Sequence, residues 1–366
     1  MLINRKLTTN LTMLLELMPV AKGITATAVR SLRHAPYLWD PWILQDDDVY
    51  RLFYLTTPKP DSSVPFWSQG TICGAISTDL VNWKPTGVVL EPSPENKWES
   101  GRMLAGSTYK ENGIYYLFYS ASGGGDFLRE EKIGLATSTD GVHWERHSPL
   151  PIFSVEDCSQ WYGDQKEYEE EDGHFHWRDP YIVKDENTGK YYMFICAYFK
   201  EGFPNKHRAC IAVAVADKIA GPYQLLPPAA GPSVNDDEEW PFVEMERPQI
   251  LYRNGKYHLF FSCWPWNIHP SWKSKFDPRR IRESSLYWYV SDKITGPFKP
   301  VGDTPIVKNS EATGLYGTNF LPLPGKPGEF MAIGWYHRLH TLQVSPKFKV
   351  DFSDDSIEIK RTYNFL

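Results

Sequence analysis

Asn254-Gly255-Lys256-Tyr257-His258-Leu259-Phe260 is the stretch from which the fold can be read. A turn residue and a glycine precede a strand of aromatic and aliphatic side chains, the pattern of a hairpin's return strand. The same pattern stands at Asp48-Val49-Tyr50-Arg51-Leu52-Phe53, at Asn112-Gly113-Ile114-Tyr115-Tyr116-Leu117-Phe118 and at Gly189-Lys190-Tyr191-Tyr192-Met193-Phe194. A weaker fifth copy is Gly328-Glu329-Phe330-Met331-Ala332-Ile333. With Phe53, Phe118, Phe194, Phe260 and Ile333 taken as equivalent, the spacings are 65, 76, 66 and 73 residues, a real but elastic period.

A second strand pair follows each hairpin. It begins with Gly74-Ala75-Ile76-Ser77-Thr78-Asp79, Gly134-Leu135-Ala136-Thr137-Ser138-Thr139-Asp140, Ile211 to Asp217, and Leu286 to Asp292, each closing on an aromatic residue (Trp83, Trp144, Tyr223, Phe298). Four strands per repeat and five repeats predict an all-β chain, a single five-bladed β-propeller, because a lone four-stranded sheet leaves both faces exposed until sheets pack radially. A sandwich of unrelated hairpins gives no reason for matched turn and Ser/Asp positions. We expect the propeller to occupy residues 31–366. Residues 1–30, where Glu16 interrupts the apolar run after Arg5 and Lys6, read as a short N-terminal helical extension and not a signal peptide.

Composition narrows the function. With 39 Lys+Arg against 45 Asp+Glu the net charge is −6, which argues against nucleic acid or an anionic membrane as partner. No run approaches the ~18 apolar residues that span a bilayer. The five cysteines show no CxxC spacing, so neither a disulfide framework nor a zinc site is expected. The 14 Trp, 21 Tyr and 19 Phe fit many short strands and a surface that stacks on sugars. The cytoplasm is the expected location, with export lacking a recognisable signal left open.

In each repeat the strand entering the hairpin is the one that lines a propeller's central channel. Three of these strands carry an acid at a similar distance from the reference aromatic: Asp40 thirteen residues before Phe53, Asp179 fifteen before Phe194, Glu246 fourteen before Phe260. The corresponding places in the other two hold Leu104-Ala105 and Asn319. Carboxylates converging on one axis raise one another's pKa, which is costly unless chemistry uses them. Glu244, two residues before Glu246, is expected to share its face. Two carboxyl groups flanking a labile bond, one acid and one nucleophile or base, are what glycoside cleavage requires. Trp39, Trp42, Trp161, Trp177, Trp264 and Trp266 offer apolar faces for a sugar, some of them being core. Arg178 and Arg247 are expected to bind hydroxyls or hold the acids. His174-Phe175-His176 shows no third ligand nearby, and the acidic stretch from Glu167 to Asp172 reads as a solvated loop, so no metal site is expected.

At these residues the sequence resembles the furanosidase clan of glycoside hydrolase families 32 and 68, and family 68 most closely. Trp39-Asp40-Pro41-Trp42-Ile43 is similar to the WDSWP motif, Arg178-Asp179-Pro180 to RDP, and Val243-Glu244-Met245-Glu246-Arg247-Pro248 to DEIERP. The resemblance covers about residues 34 to 340. It implies Asp40 as nucleophile, Asp179 as transition-state stabiliser and Glu246 as acid/base. It also implies Glu244 as a substrate-binding residue, matches Tyr316 to a family tyrosine near the acid/base, and leaves Arg279, Arg280 and Arg282 as candidates for a family arginine; Trp39, Arg178, Arg247, Ser107, Asn319 and Arg280 complete the expected substrate-binding set. Where the family has WSGSA this chain reads Leu104-Ala105-Gly106-Ser107-Thr108. The absence of a C-terminal β-sandwich favours family 68 over family 32, and the lack of room for long loops favours hydrolysis over polymer synthesis.

The expected function is therefore a retaining β-fructofuranosidase, with fructosyl transfer as a second capacity, acting on sucrose or a related β-fructoside without metal or cofactor. Two other readings stay open: an inverting arabinofuranosidase or xylosidase of family 43, and a non-catalytic sugar-binding propeller.

Overall fold

Each repeated hairpin folds with the strand pair that follows it into one four-stranded antiparallel meander, and five such sheets account for all twenty strands described. The computed structural model describes residues 37–360 apart from 58–64, 126–129, 155–159, 164–175, 201–207, 232–240, 276–284, 302–305, 308–309, 311–313, 337–343 and 355. The expected N-terminal helix lies outside the described residues. Among them, one α-helical turn spans Pro270–Lys273.

The first strand of each blade, Leu38–Asp46, Arg102–Glu111, Arg178–Lys184, Glu246–Arg253 and Leu315–Pro322, is the inner one. These five touch one another in cyclic order, which closes the ring around a central channel. The reference aromatics explain why the repeat exists. Phe53, Phe118, Phe194, Phe260 and Ile333 are all buried between blades, each contributing on the order of 2 kcal/mol by leaving water. One apolar cluster joins Phe194 and Val213 of blade 3 to Leu259, Phe261 and Tyr287 of blade 4. Another joins Leu38, Leu52 and Tyr54 of blade 1 to Leu321, Met331 and Ile333 of blade 5.

The repeated Ser-x-Asp is a turn device. Ser77 Oγ accepts from the Leu80 N–H at 2.9 Å while Asp79 Oδ1 accepts from Val81 and Asn82, and Ser138 and Asp140 repeat this arrangement in blade 2. Blades 3 and 4 use a backbone turn instead, Gly221 N–H to Lys218 O and Gly296 N–H to Lys293 O.

At the hairpin-turn end of the inner strands, adjacent blades are clasped by an acid and a tyrosine. Tyr115 donates to Asp46 at 2.7 Å, Tyr191 to Glu111 at 2.5 Å and Tyr257 to Asp185 at 2.6 Å. The fourth seam has Phe330 at the tyrosine position, and there Arg253 donates to Phe352 O at 3.2 Å.

Candidate active site

Near the opposite end of the inner strands, pairing with the neighbouring strand slips at one common level. The slip falls between Trp39 and Trp42, Met103 and Gly106, Arg178 and Tyr181, Glu246 and Gln249, and Tyr316 and Asn319. Two inner residues oppose one on the partner, so every inner strand carries a β-bulge. The residue opening the bulge has positive φ in four blades: Asp40 (41°), Asp179 (59°), Arg247 (55°) and Gly317 (56°). For the three that are not glycine, this conformation costs on the order of 1–3 kcal/mol each, strain of the kind that collects at functional sites. Proline follows all three because a bulge leaves a ladder N–H unused.

This level corrects the register expected from the sequence. Arg247, not Glu246, is the counterpart of Asp40 and Asp179, and Gly317, not Asn319, is the blade 5 counterpart. Glu246 occupies the preceding position, level with Trp39, Arg178 and Tyr316. The proline itself was the available signal, since Asp40-Pro41, Asp179-Pro180 and Arg247-Pro248 align on it. The blade 2 hairpin is one residue longer between bulge and turn, so Tyr119 faces Gly106 at the bulge although Phe118 keeps step with the turn.

Arg247 builds the floor. Its backbone N–H donates to Asp179 Oδ2 at 3.0 Å, and its guanidinium reaches across the axis to Gly106 O (3.2 Å) and Pro41 O (3.1 Å) while lying over the Trp42 ring. It thus ties blades 1 to 4 together and holds Asp179, one of the two roles expected of it. Ser107 and Asn319 are engaged within the protein. Ser107 Oγ accepts from Ile182 N–H at 3.1 Å, and the Asn319 amide donates to Pro41 O at 3.0 Å. Both line a cavity of about 290 Å³ together with Trp42, Tyr181 and Gln249, and the bulge residues Asp179 and Arg247 border it too.

The acids gather around the bulges. Asp40 Oδ1 is sealed from solvent with no hydrogen-bonding protein partner. Burial pushes its carboxyl up to about 7; Arg247 opposes this and Asp179 adds to it. Asp179 is raised as well, by burial against the pull of Arg247 and Arg178. Glu246 Oε1 accepts from Arg178 Nε at 3.1 Å and from its Nη2, and Glu246 Oε2 accepts from the Tyr316 hydroxyl. Burial, then the like charge of Glu244, holds Glu246 well above the ordinary range. Glu244, raised by burial, lies 3.6 Å from Arg178 Nη2 and accepts from Asn267 Nδ2 at 2.6 Å.

Two supporting residues escaped the sequence reading. Buried Glu131 accepts from Arg178 Nη1 at 3.2 Å, from Arg102 Nη2 at 3.2 Å and from the Trp177 N–H at 3.0 Å. It aims Arg178 at Glu246. Nothing in Glu130-Glu131 signals this role, because its partners lie 29 and 47 positions away. The guanidinium groups of Arg102, Arg178 and Arg247 thus face the carboxyl groups of Asp40, Glu131, Asp179, Glu244 and Glu246. The imbalance adds to burial in favouring proton retention by Asp40, Asp179, Glu244 and Glu246.

His176, for which no third ligand was expected, brings a ring nitrogen within 4.8 Å of carboxylate oxygens of both Glu244 and Glu246, a group able to hold a metal ion. Arg178 already supplies positive charge to both carboxylates, which lowers the affinity of that position for a cation. His174, Phe175, the stretch 167–172 and Arg280 lie outside the described residues. Cys73, Cys196, Cys210 and Cys263 are free thiols.

The aromatic candidates divide. Trp177 is fully buried core, and Trp42 stacks on Phe53 and donates Nε1 to Thr108, below the acids. Trp39, Phe66, Trp335 and Trp264 form a wall of edge contacts at 5.3, 5.8 and 5.6 Å. Tyr316 stacks on Trp264 at 4.1 Å, and Leu104 belongs to the same apolar cluster.

This geometry is accompanied by likeness to known proteins. Residues 40–204 match the glycosyl hydrolases family 32 N-terminal domain, beginning at Asp40. A levansucrase of Erwinia amylovora is 25% identical over 233 residues, 57% of this chain and 51% of that protein. Sucrose-6-phosphate hydrolase of Escherichia coli is 26% identical over 149 residues, 39% of this chain and 26% of that protein. The match therefore spans about half, or less, of these curated relatives. An inulosucrase from Halalkalicoccus jeotgali, bound to kestose, shares the fold with TM-score 0.69 at 20% identity, covering 88% of this chain and 86% of that one. Motifs, bulge-borne acids, the family match over residues 40–204 and the fold agree, and together they support membership of the glycoside hydrolase clan that families 32 and 68 share.

Proposed function

We propose that this chain is a retaining β-fructofuranosidase, with capacity for fructosyl transfer, that cleaves sucrose or a related β-fructoside. The observation that carries the reading is a division of labour between two acids in one channel. Asp40 has a buried oxygen with no protein partner, ready to form a bond. Glu246 keeps its proton and is held by Arg178 and Tyr316, ready to give it.

In the first step Glu246 protonates the glycosidic oxygen while an Asp40 oxygen attacks the anomeric carbon. The carbon–oxygen bond breaks and the alcohol departs, leaving a fructosyl ester on Asp40. In the second step Glu246, now a carboxylate, takes the proton of water or a sugar hydroxyl, whose oxygen displaces Asp40. Two inversions retain configuration. Asp179, fixed by the Arg247 N–H, is positioned to bind fructosyl hydroxyls. The similarity to a levansucrase and a sucrose-6-phosphate hydrolase supports a fructoside as substrate.

The test is to incubate the protein with sucrose and quantify glucose and fructose, with Asp40→Asn as control. Equal release abolished by the substitution is the expected result for hydrolysis, and glucose in excess of fructose reports transfer. No release of either from sucrose or another β-fructoside would overturn the reading.

A further inference from the structure

Trp266 is the most exposed tryptophan described, 65% accessible, yet it does not stand alone. It stacks on Trp264 with centroids 4.7 Å apart and planes at 11°, and Trp264 stacks on Tyr316 at 4.1 Å and 13°. Tyr316 donates its hydroxyl to Glu246. Three near-parallel rings therefore run from the acid/base to the protein surface.

The outer ring is held in place. Trp266 sits in the 3-10 turn Pro265–Asn267. Asn267 bonds the turn to Glu244 at 2.6 Å, its carbonyl accepts from Val243 N–H at 2.8 Å, and Lys273 donates to Pro265 O at 2.7 Å. Keeping a large indole in water is unfavourable, and holding it rigid there has a use when another flat apolar face covers it. Rigidity also lowers the entropy lost when it is covered.

We propose that Trp266 is the platform of an outer subsite for a sugar on the leaving-group side, beyond the unit that carries the scissile oxygen. The inference rests on the fructoside reading and deepens it. The ladder starts beside the group that protonates the leaving oxygen, so it lies on the leaving-group side. Its free face is two stacking steps from Tyr316, too far for the sugar attached to that oxygen and suited to the next one. The C–H face of that sugar stacks on the indole, and the charge-free contact makes the subsite tolerant of which sugar it is.

Fructose release from sucrose, raffinose and stachyose tests this, because the three carry the same fructosyl unit on leaving groups of one, two and three sugars. Trp266→Ala is expected to lower kcat/KM for the longer substrates relative to sucrose by roughly fivefold, through KM, with Trp266→Phe retaining most of the ratio. An unchanged ratio, with sucrose still cleaved, would overturn the subsite alone. Failure of the unaltered protein to free fructose from any of the three would overturn the subsite together with the choice of sucrose-type donors, while the fructoside reading itself falls only if other β-fructosides are not cleaved either.

Discussion

Asp40 and Asp46 lie on one inner strand, and the protein drives their carboxyl groups in opposite directions. At Asp40 burial dominates and the pKa rises to about 7. At Asp46 burial also raises it, but hydrogen bonds from Lys110, Arg51 and Tyr115 outweigh that and bring it down to about 2. The contrast extends around the ring. Asp179, Glu244 and Glu246 are raised at the bulge end, whereas Glu111 and Asp185 are lowered at the turn end, each with a tyrosine hydroxyl and further donors. The same residue type is held as a carboxylate at one end and pushed toward its protonated form at the other, and the supply of donors decides which.

The largest expected effect comes from breaking the reagent end. Asp40→Asn should reduce fructoside kcat/KM by roughly 10⁴-fold or more, measured by steady-state sugar release. The same substitution should stabilise the fold at pH 8. A carboxyl whose folded pKa lies above its unfolded value loses stability as pH rises from about 4 to about 7, and the amide carries no charge to bury. A Tm gain of roughly 5 °C at pH 8 that vanishes at pH 4 is the expected outcome in thermal melts, and a gain equal at both values would contradict the buried-charge account.

Removing the shared cation comes next. Arg178→Gln leaves Glu131, Glu244 and Glu246 without their common partner and should cost about 3–5 kcal/mol in denaturant unfolding at pH 7. The loss should shrink as pH falls and Glu244, raised by burial, takes up a proton.

The turn end should answer with the opposite sign. Asp46→Asn is expected to cost about 2 kcal/mol at pH 7. The carboxyl's folded pKa lies below its unfolded value, so its stabilisation is present above about pH 4 and fades as pH falls toward 2; the variant and parent should converge there. Tyr115→Phe, which removes one donor, should cost about 1 kcal/mol with no change in sugar release.

The kinetic pH profile sharpens the comparison without any substitution. Cleavage needs Asp40 ionised and Glu246 protonated, so kcat/KM should rise through about pH 7 and fall again where Glu246 loses its proton. An acid limb below pH 5 would mean that Asp40 finds a donor the structure does not show.

Local chemistry alone determined much of this protein. Alternation of aromatic and aliphatic residues after a Gly or Asn turn specifies a hairpin, and five hairpins with trailing strand pairs specify the propeller. The motifs around Asp40, Asp179 and Glu246 marked acids that the fold gathers in one channel. The bulge register needed the folded sheets, because a one-residue slip depends on what the neighbouring strand pairs with, and it moved Arg247 into the level first given to Glu246. The role of Glu131 and the cross-channel bonds of the Arg247 guanidinium were likewise invisible, since their partners come from other blades. Protonation was decided last and only in three dimensions. A sequence states which groups ionise, but burial and the count of donors within reach set whether each one does.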